Sequence, residues 1–454
     1  MRKFINKLLI VILAIGFSFC EDPNTEDDQL VIVNASLFNT STLQVEKNRS
    51  IFIRNNRIKK ISGTRSGDFA LNNVVDARER LITPSFIDVH NHLNFIFGDT
   101  TEITNPNEFK RSRKLLTEQY LPYGVTVVRS AGGRELHIPM VQSWMNHHQD
   151  YVDYFPSGGA LVSLDTKFYN HAYVADSSEV QSKIREYHKL GIRHIKLYSL
   201  IGEPELKAAV STARELELNI FGHIENAMIS IETACNLGLT NFEHAKTLFL
   251  EVIRKYEAAS IDLSGLPPDD EENWRYREYE VFNFIGADDP SILSLIALFK
   301  KNGVSITPTL NLYAQPIGLV NNSSQPTAHK EDQLNWSEEQ MNRAKLGYKV
   351  LAAVVYKLYE NGIQLNTGSD NYEPGKTILS EMLLLNDLGI PMSEVLKIAS
   401  LNSARAIDME KSYGSIEVGK KAHLVIFDEN PLVNPLNLLS KKTVIKDGIL
   451  WKQH

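Results

Sequence analysis

Two cysteines in 454 residues, Cys20 and Cys235, supply no disulfide framework, so the fold must rest on a hydrophobic core or on bound metal. Basic excess is also missing. Lys and Arg number 48 against 55 Asp and Glu, a net charge of −7, which lacks the electrostatic footprint of a nucleic-acid binder. The apolar run Leu8 to Phe19 is shorter than the roughly 20 residues a membrane-spanning helix needs. Internal repeats and low-complexity tracts are absent, which excludes solenoid and linker architectures. What remains, 43% hydrophobic and 23% charged residues, is the composition of a globular soluble protein.

Arg2, Lys3 and Lys7 precede that apolar run, and EDPNTEDD follows it, so residues 1–20 read as an export signal and 21–29 as an acidic linker. Cys20 leaves two endings open. It becomes a lipid-bearing first residue, as in a bacterial lipoprotein signal, although Phe19 before it is bulky; or ordinary cleavage follows it, with Ser18 and Cys20 as the small residues. Either places the mature chain in the periplasm or outside the cell, touching membrane only through a lipid on Cys20; an uncleaved anchor is the third option. Cys235 then reads as a buried thiol in a helix.

The two ends of the chain read as short β elements. Asn55-Asn56 and Asp447-Gly448 are hairpin signals between apolar runs, so both termini are expected to build one small sheet domain. Between them stand eight short, β-branched strand candidates: Phe86 to His90, Val125 to Ser130, Ala160 to Leu164, His194 to Tyr198, Asn219 to His223, Asn241 to His244, Val304 to Thr309 and Ile363 to Asp370. Helical stretches such as SSEVQSKIREYHKLG, EPELKAAVSTARELEL and AMISIETACNLG separate them. The expected fold is α/β, a (β/α)8 barrel, with a doubly wound open sheet as the competitor. The longest connections, Ala245 to Asn302 and Leu310 to Asn361, read as lids over the barrel mouth; the first carries the acidic and aromatic LPPDDEENWRYREYE.

A residue at the C-terminal end of a barrel strand lies at the mouth. His90 and His92, separated by one residue, face the same way at the end of the first strand. Lys196, His223, His244 and Asp370 occupy four further strand ends. Imidazole and carboxylate suit Zn²⁺ and similar divalent ions. Lys196 is the odd member, because an ammonium repels cations. Tyr169, His171, Tyr198 and Tyr313 follow strands and are the candidate substrate contacts, and loop packing is the competing explanation for them.

The motifs FIDVHNH, HIKLYSL, FGHIENA, NFEHAKT and NTGSD, followed by SLNSARAIDMEKSYGSIEVGKKAHLVIFDENPL, resemble the metal-dependent amidohydrolase superfamily, and within it the imidazolonepropionase-like branch that includes Xaa-Pro dipeptidases. The resemblance implies a TIM barrel over 85–409 and a β-sandwich split between 30–84 and 410–454. It implies two divalent ions, zinc being the expected metal. His90, His92 and Asp370 would hold one, His223 and His244 the other, and Lys196, carboxylated by CO2, would bridge them. The implied chemistry is hydrolysis of a C–N bond in a small amide, cyclic amide or dipeptide by a metal-bridging hydroxide, with Asp370 passing the proton to the leaving nitrogen. A homo-oligomer is compatible with it. Ser130, Ser380 and His423 stand where relatives often carry aspartate, histidine and aspartate. Two alternatives stay open: a mononuclear deaminase of the same superfamily, whose members commonly lack the strand-four lysine, and an exported metal- or solute-binding protein without turnover.

Overall fold

Backbone pairing sorts the strands of the computed structural model, which describes residues 30–98, 102–166, 168–224, 228–247, 274–319 and 336–452, into three sheets. The expected signal and linker, residues 1–29, lie outside the described residues. The first sheet joins the two ends of the chain: Leu424–Phe427 pairs antiparallel with Leu81–Pro84, which in turn pairs with Leu30–Phe38. Its two tight hairpins form where expected. Asn55 and Asn56 take φ of 51° and 57°, and Asp447 and Gly448 take 54° and 75°, the left-handed pairs that match the twist of the flanking strands.

The other two sheets are parallel and buried. One contains Phe86–Asn91, Val125–Ser130 and Asp153–Phe155; the other runs His171–Tyr173, Ala160–Val162, His194–Leu197, Asn219–Gly222, Asn241–Glu243, Ser305–Thr307 and Gln364–Leu365. Val89 N donates to Thr367 O at 2.9 Å and Asp370 N to His90 O at 2.8 Å, tying the segment after Gln364–Leu365 to the strand Phe86–Asn91. Only glycine fits between them at 368, since a Cβ there would lie 2.6 Å from both His90 Cβ and Thr307 Cγ2.

The structure changes several sequence expectations, among them the eighth strand, expected over Ile363 to Asp370, which covers only Gln364–Leu365. The third strand ends at Val162 rather than Leu164, and the strands Asp153–Phe155 and His171–Tyr173 appear where none was expected. Three residues each, DYF and HAY, are too short to show a period. The described part of the acidic-aromatic stretch, Trp274–Glu280, is a helix with Tyr279 only 2% exposed, so it belongs partly to the core. It packs on the helix Glu338–Glu360, where a Cβ on Gly347 would lie 2.1 Å from the Tyr279 carbonyl oxygen. The rest of the two expected lids, 248–273 and 320–335, lies outside the described residues.

A buried polar cluster locks the terminal sheet onto the parallel strands. Asp153 accepts from Tyr413 Oη at 2.7 Å and from Lys421 and Lys446 at 3.1 Å each. Asp447 accepts from Lys446 and, at 3.0 Å, pairs with His423 Nε2. His423 Nδ1 reaches Thr126 Oγ1 at 2.9 Å, so this departure from the family pattern is a structural hydrogen-bonding residue. His147, Asp153 and Asp447 are close enough to hold a cation, but two ammonium groups already neutralise the two carboxylates, which makes a metal there unfavourable.

Burial raises the Asp447 carboxyl, but the His423 hydrogen bond and the His423 and Lys446 charges outweigh it, holding the group at about 2. A depressed native pKa contributes stability above the unfolded value near 3.9, lost as pH falls through the native value. Asp447→Asn should therefore cost about 3 kcal/mol at pH 7, because Lys446 loses a buried partner. It should also flatten the loss of stability between about pH 5 and pH 2, both read by denaturant unfolding at stepped pH.

Candidate metal centre

The ligand-type residues expected at strand ends converge. His90, His244 and Asp370 offer ligand atoms all within 4.8 Å of one another. The Nε2 atoms of His90 and His92 lie 3.5 Å from Asp370 Oδ1, and that of His244 lies 3.6 Å from Oδ2. These separations are too long for good hydrogen bonds. His223 stacks edge-on to His244 with ring centroids 4.3 Å apart. Lys196, 1% exposed, lines the same cavity.

Each Nε2 is aimed by what holds the other ring nitrogen. His90 Nδ1 lies 2.5 Å from Glu243 Oε2, His92 Nδ1 2.9 Å from Gly132 O, and His244 Nδ1 2.8 Å from Thr309 Oγ1. This is the outer-shell arrangement that fixes a ligating imidazole's tautomer and orientation. Glu243 is fully buried, and its second oxygen accepts from Arg129 Nη2 at 2.5 Å, while Arg129 Nε donates to Val89 O at 2.7 Å. The donor set therefore fits a divalent cation in both chemistry and aim.

The backbone is strained at the same place. His244, Thr309 and Asp370 take φ of 65°, 50° and 40°, left-handed values that non-glycine residues hold only when the surroundings enforce them. Here the enforcing bonds are His244 N to Thr307 O and Asp370 N to His90 O, both 2.8 Å.

Burial and the nearby Lys196 charge depress the imidazoles: His92 falls to about 4, and His90 and His244 fall well below the ordinary value, with the His223 charge adding to Lys196 at His244. All three are neutral at pH 7, as ligands must be. Burial pushes Asp370 up to about 8, against the lowering effect of Lys196.

The cavity over these groups measures about 220 Å³. Tyr169, His171 and Tyr198 line it. His171 and Tyr198 lie 4.5 Å apart by ring centroids, and Tyr198 meets His223 at 4.9 Å. Tyr313 does not line it; its ring is buried, 4% exposed, against Tyr279, and its neighbour Leu312 faces the cavity instead. Ser380 is buried away from the lining, donating to Asn311 Oδ1 at 2.6 Å, and Ser130 accepts from Gly132 N at 3.3 Å. Sequence reasoning missed Glu243, Arg129 and Thr309. The available signal was a charge inside an apolar strand, in NFEH and VTVVRS.

The family model of the amidohydrolase family matches residues 201–450. The chain belongs to the amidohydrolase family. Local matches span about a fifth of the curated relatives' own length; one, a putative adenine deaminase of Oceanobacillus iheyensis, is 30% identical over 119 residues, 22% of this chain and 21% of the relative. The imidazolonepropionase of Picrophilus torridus is 23% identical over 403 residues, 84% of this chain and 86% of the relative. Among solved structures, a Xaa-Pro dipeptidase with bound methionine in its active site matches with a TM-score of 0.67 at 19% identity, covering 93% of this chain and all of that one, 100%. This amidohydrolase thus shares the fold of that neighbour, a TIM barrel with a separate domain.

At pH 7 the Asp370 carboxyl of the metal-free protein is mostly protonated, so a cation must displace that proton and affinity must rise with pH up to about 8. Calorimetric Zn²⁺ titration in CO2-free buffers of differing ionisation enthalpy should show about one more proton released than in Asp370→Asn.

Proposed function

We propose that this chain is an exported metal-dependent hydrolase that cleaves the C–N bond of a small amide, cyclic amide or dipeptide. The observation that carries the reading is the convergence of three oriented imidazole Nε2 atoms, at 3.5 to 3.6 Å, on the Asp370 carboxylate beneath a small cavity. His90, His92 and Asp370 would hold one ion and His223 and His244 the second, with Lys196 between them as a carbamate. Uptake of CO2 by the uncharged Lys196 amine forms an N–C bond and releases one proton, turning a group that repels cations into an anion that binds two. The fold around the site is read as a closed (β/α)8 barrel, with the terminal sheet as its β-sandwich. Export rests on residues 1–20; among the described residues no helix is long and apolar enough to cross a membrane.

Bound divalent cations, zinc by preference, supply Lewis acidity and an activated water. The chain's own part is proton transfer and placement. Water adds to the carbonyl carbon, an Asp370 oxygen takes its proton, and the same oxygen delivers it to the nitrogen as the C–N bond breaks. Tyr169, His171 and Tyr198 shape the substrate side of the cavity and exclude water from it.

A deaminase is the second reading, favoured by the local match to a putative adenine deaminase. One panel separates them. Dipeptides, N-acyl amino acids, cyclic amides and aminopurines are incubated with the protein, Zn²⁺ or Mn²⁺, and bicarbonate. Hydrolysis of the amides, reduced at least about 10²-fold in Asp370→Asn, is expected from loss of general acid–base catalysis. Ammonia release from purines alone would replace the amide reading, and tight binding without turnover would make the chain a binding protein.

Lys196 is tested separately. Lys196→Ala should lose at least one metal equivalent by elemental analysis, and short carboxylic acids should partly restore metal and activity. Two metals retained at full activity would remove the carbamate.

A further inference from the structure

Among the described residues lining the cavity, Lys246 is the one charged side chain not assigned to the metal centre, which takes Lys196 and Asp370. It lies two residues beyond His244, in the turn that follows the Asn241–Glu243 strand, and its side chain is 15% exposed. Nζ lies 2.6 Å from Glu278 Oε1, on the helix Trp274–Glu280. Glu278 is not among the described residues lining the cavity, so the carboxylate that pairs with the ammonium belongs to a residue outside the cavity wall.

The rest of the lining is apolar or neutral, including Phe95, Phe168, Ala131, Ala160 and Leu312. Phe168 is 51% exposed and carries the aromatic series Phe168, His171, Tyr198 outward from His223. At about 220 Å³ the cavity is below the usual size of a drug-sized site, so its ligand is small. A partly desolvated ammonium beside apolar and aromatic walls is matched by a small molecule carrying one carboxylate and one apolar group, because charge-assisted bonds to carboxylates are the strong ones.

We propose that Lys246 recognises a substrate carboxylate, and that the substrates are small carboxylate-bearing amides such as dipeptides and N-acyl amino acids with apolar side chains, in preference to their uncharged C-terminal amides. This rests on the hydrolase reading above for its turnover, and on Lys246 alone for its binding. Glu278 is a positioning residue that holds the ammonium in place.

The test uses the metal-loaded full chain on matched pairs of acids and C-terminal carboxamides. The ratio of kcat/KM, acid over amide, should be on the order of 10 to 100 for the parent chain, the range of a hydrogen bond to a charged group. It should fall to about 1 in Lys246→Met and largely survive in Lys246→Arg. A second measurement, calorimetric binding of phenylalanine against phenylalaninamide to the metal-free protein, should show the same Lys246-dependent preference without any catalysis. Equal use of acids and amides by the parent chain, or an unchanged ratio in Lys246→Met, overturns the proposal. An equal loss on both kinds of substrate does so too, since it assigns Lys246 to the reacting carbonyl. If nothing is hydrolysed but phenylalanine still binds through Lys246, the hydrolase reading falls and the carboxylate site stands.

Discussion

One buried carboxylate sets the geometry on which the site depends. Glu243 receives Arg129 on one oxygen and faces His90 Nδ1 with the other, at 2.5 Å each. Arg129 also donates to Val89 O and lies 3.5 Å over the Phe221 ring, so this one contact group joins four of the parallel strands through their interior. A buried ion pair contributes little net stability, since desolvation consumes much of the Coulomb gain. What it contributes here is aim. With Nδ1 of His90 engaged by Glu243, the remaining nitrogen points toward Asp370.

Around that axis the strand ends are held in conformations that chain preference alone would not select. Left-handed backbone at His244, Thr309 and Asp370 turns three successive strand ends toward the same point, and the absence of a side chain at Gly368 lets the segment after Gln364–Leu365 lie against His90 and Thr307. The strain and the unfavourable burial of neutral histidines and a raised carboxyl occur together, which is the pattern of a site organised for a ligand rather than for stability. Lys246 extends the same region outward, placing a cation at the cavity wall beyond the histidines.

At the seam with the terminal sheet, the second polar cluster uses similar residue types for an opposite purpose. Asp153 and Asp447 are balanced by Lys421, Lys446 and His423 and closed by Tyr413, leaving the charges paired within the protein. The centre beneath the cavity instead gathers neutral histidines around one carboxylate, with 3.5 to 3.6 Å between their Nε2 atoms and the Asp370 oxygens. Residue composition alone does not separate the two clusters; ammonium groups within bonding distance of the carboxylates do.

Much of this is legible in the order of the residues. Strand periodicity, the Asn-Asn and Asp-Gly turns, and the recurrence of ligand-type residues at apolar strand ends are local properties, written in neighbours a few residues apart. They determine the α/β character, the union of the two termini and the convergence of His90, His92, Lys196, His223, His244 and Asp370 on one cavity. Glu243, Arg129 and Lys246 become functional candidates only in three dimensions. Their roles depend on partners tens of residues or more away, His90 for Glu243, Val89 for Arg129 and Glu278 for Lys246. The same holds for Tyr313, whose place after a strand suggests a cavity contact but whose packing against Tyr279 turns it into the core. Local pattern specifies which face of an element is apolar; which polar groups meet inside is decided by tertiary packing, because pairing energy depends on distance through space and not along the chain.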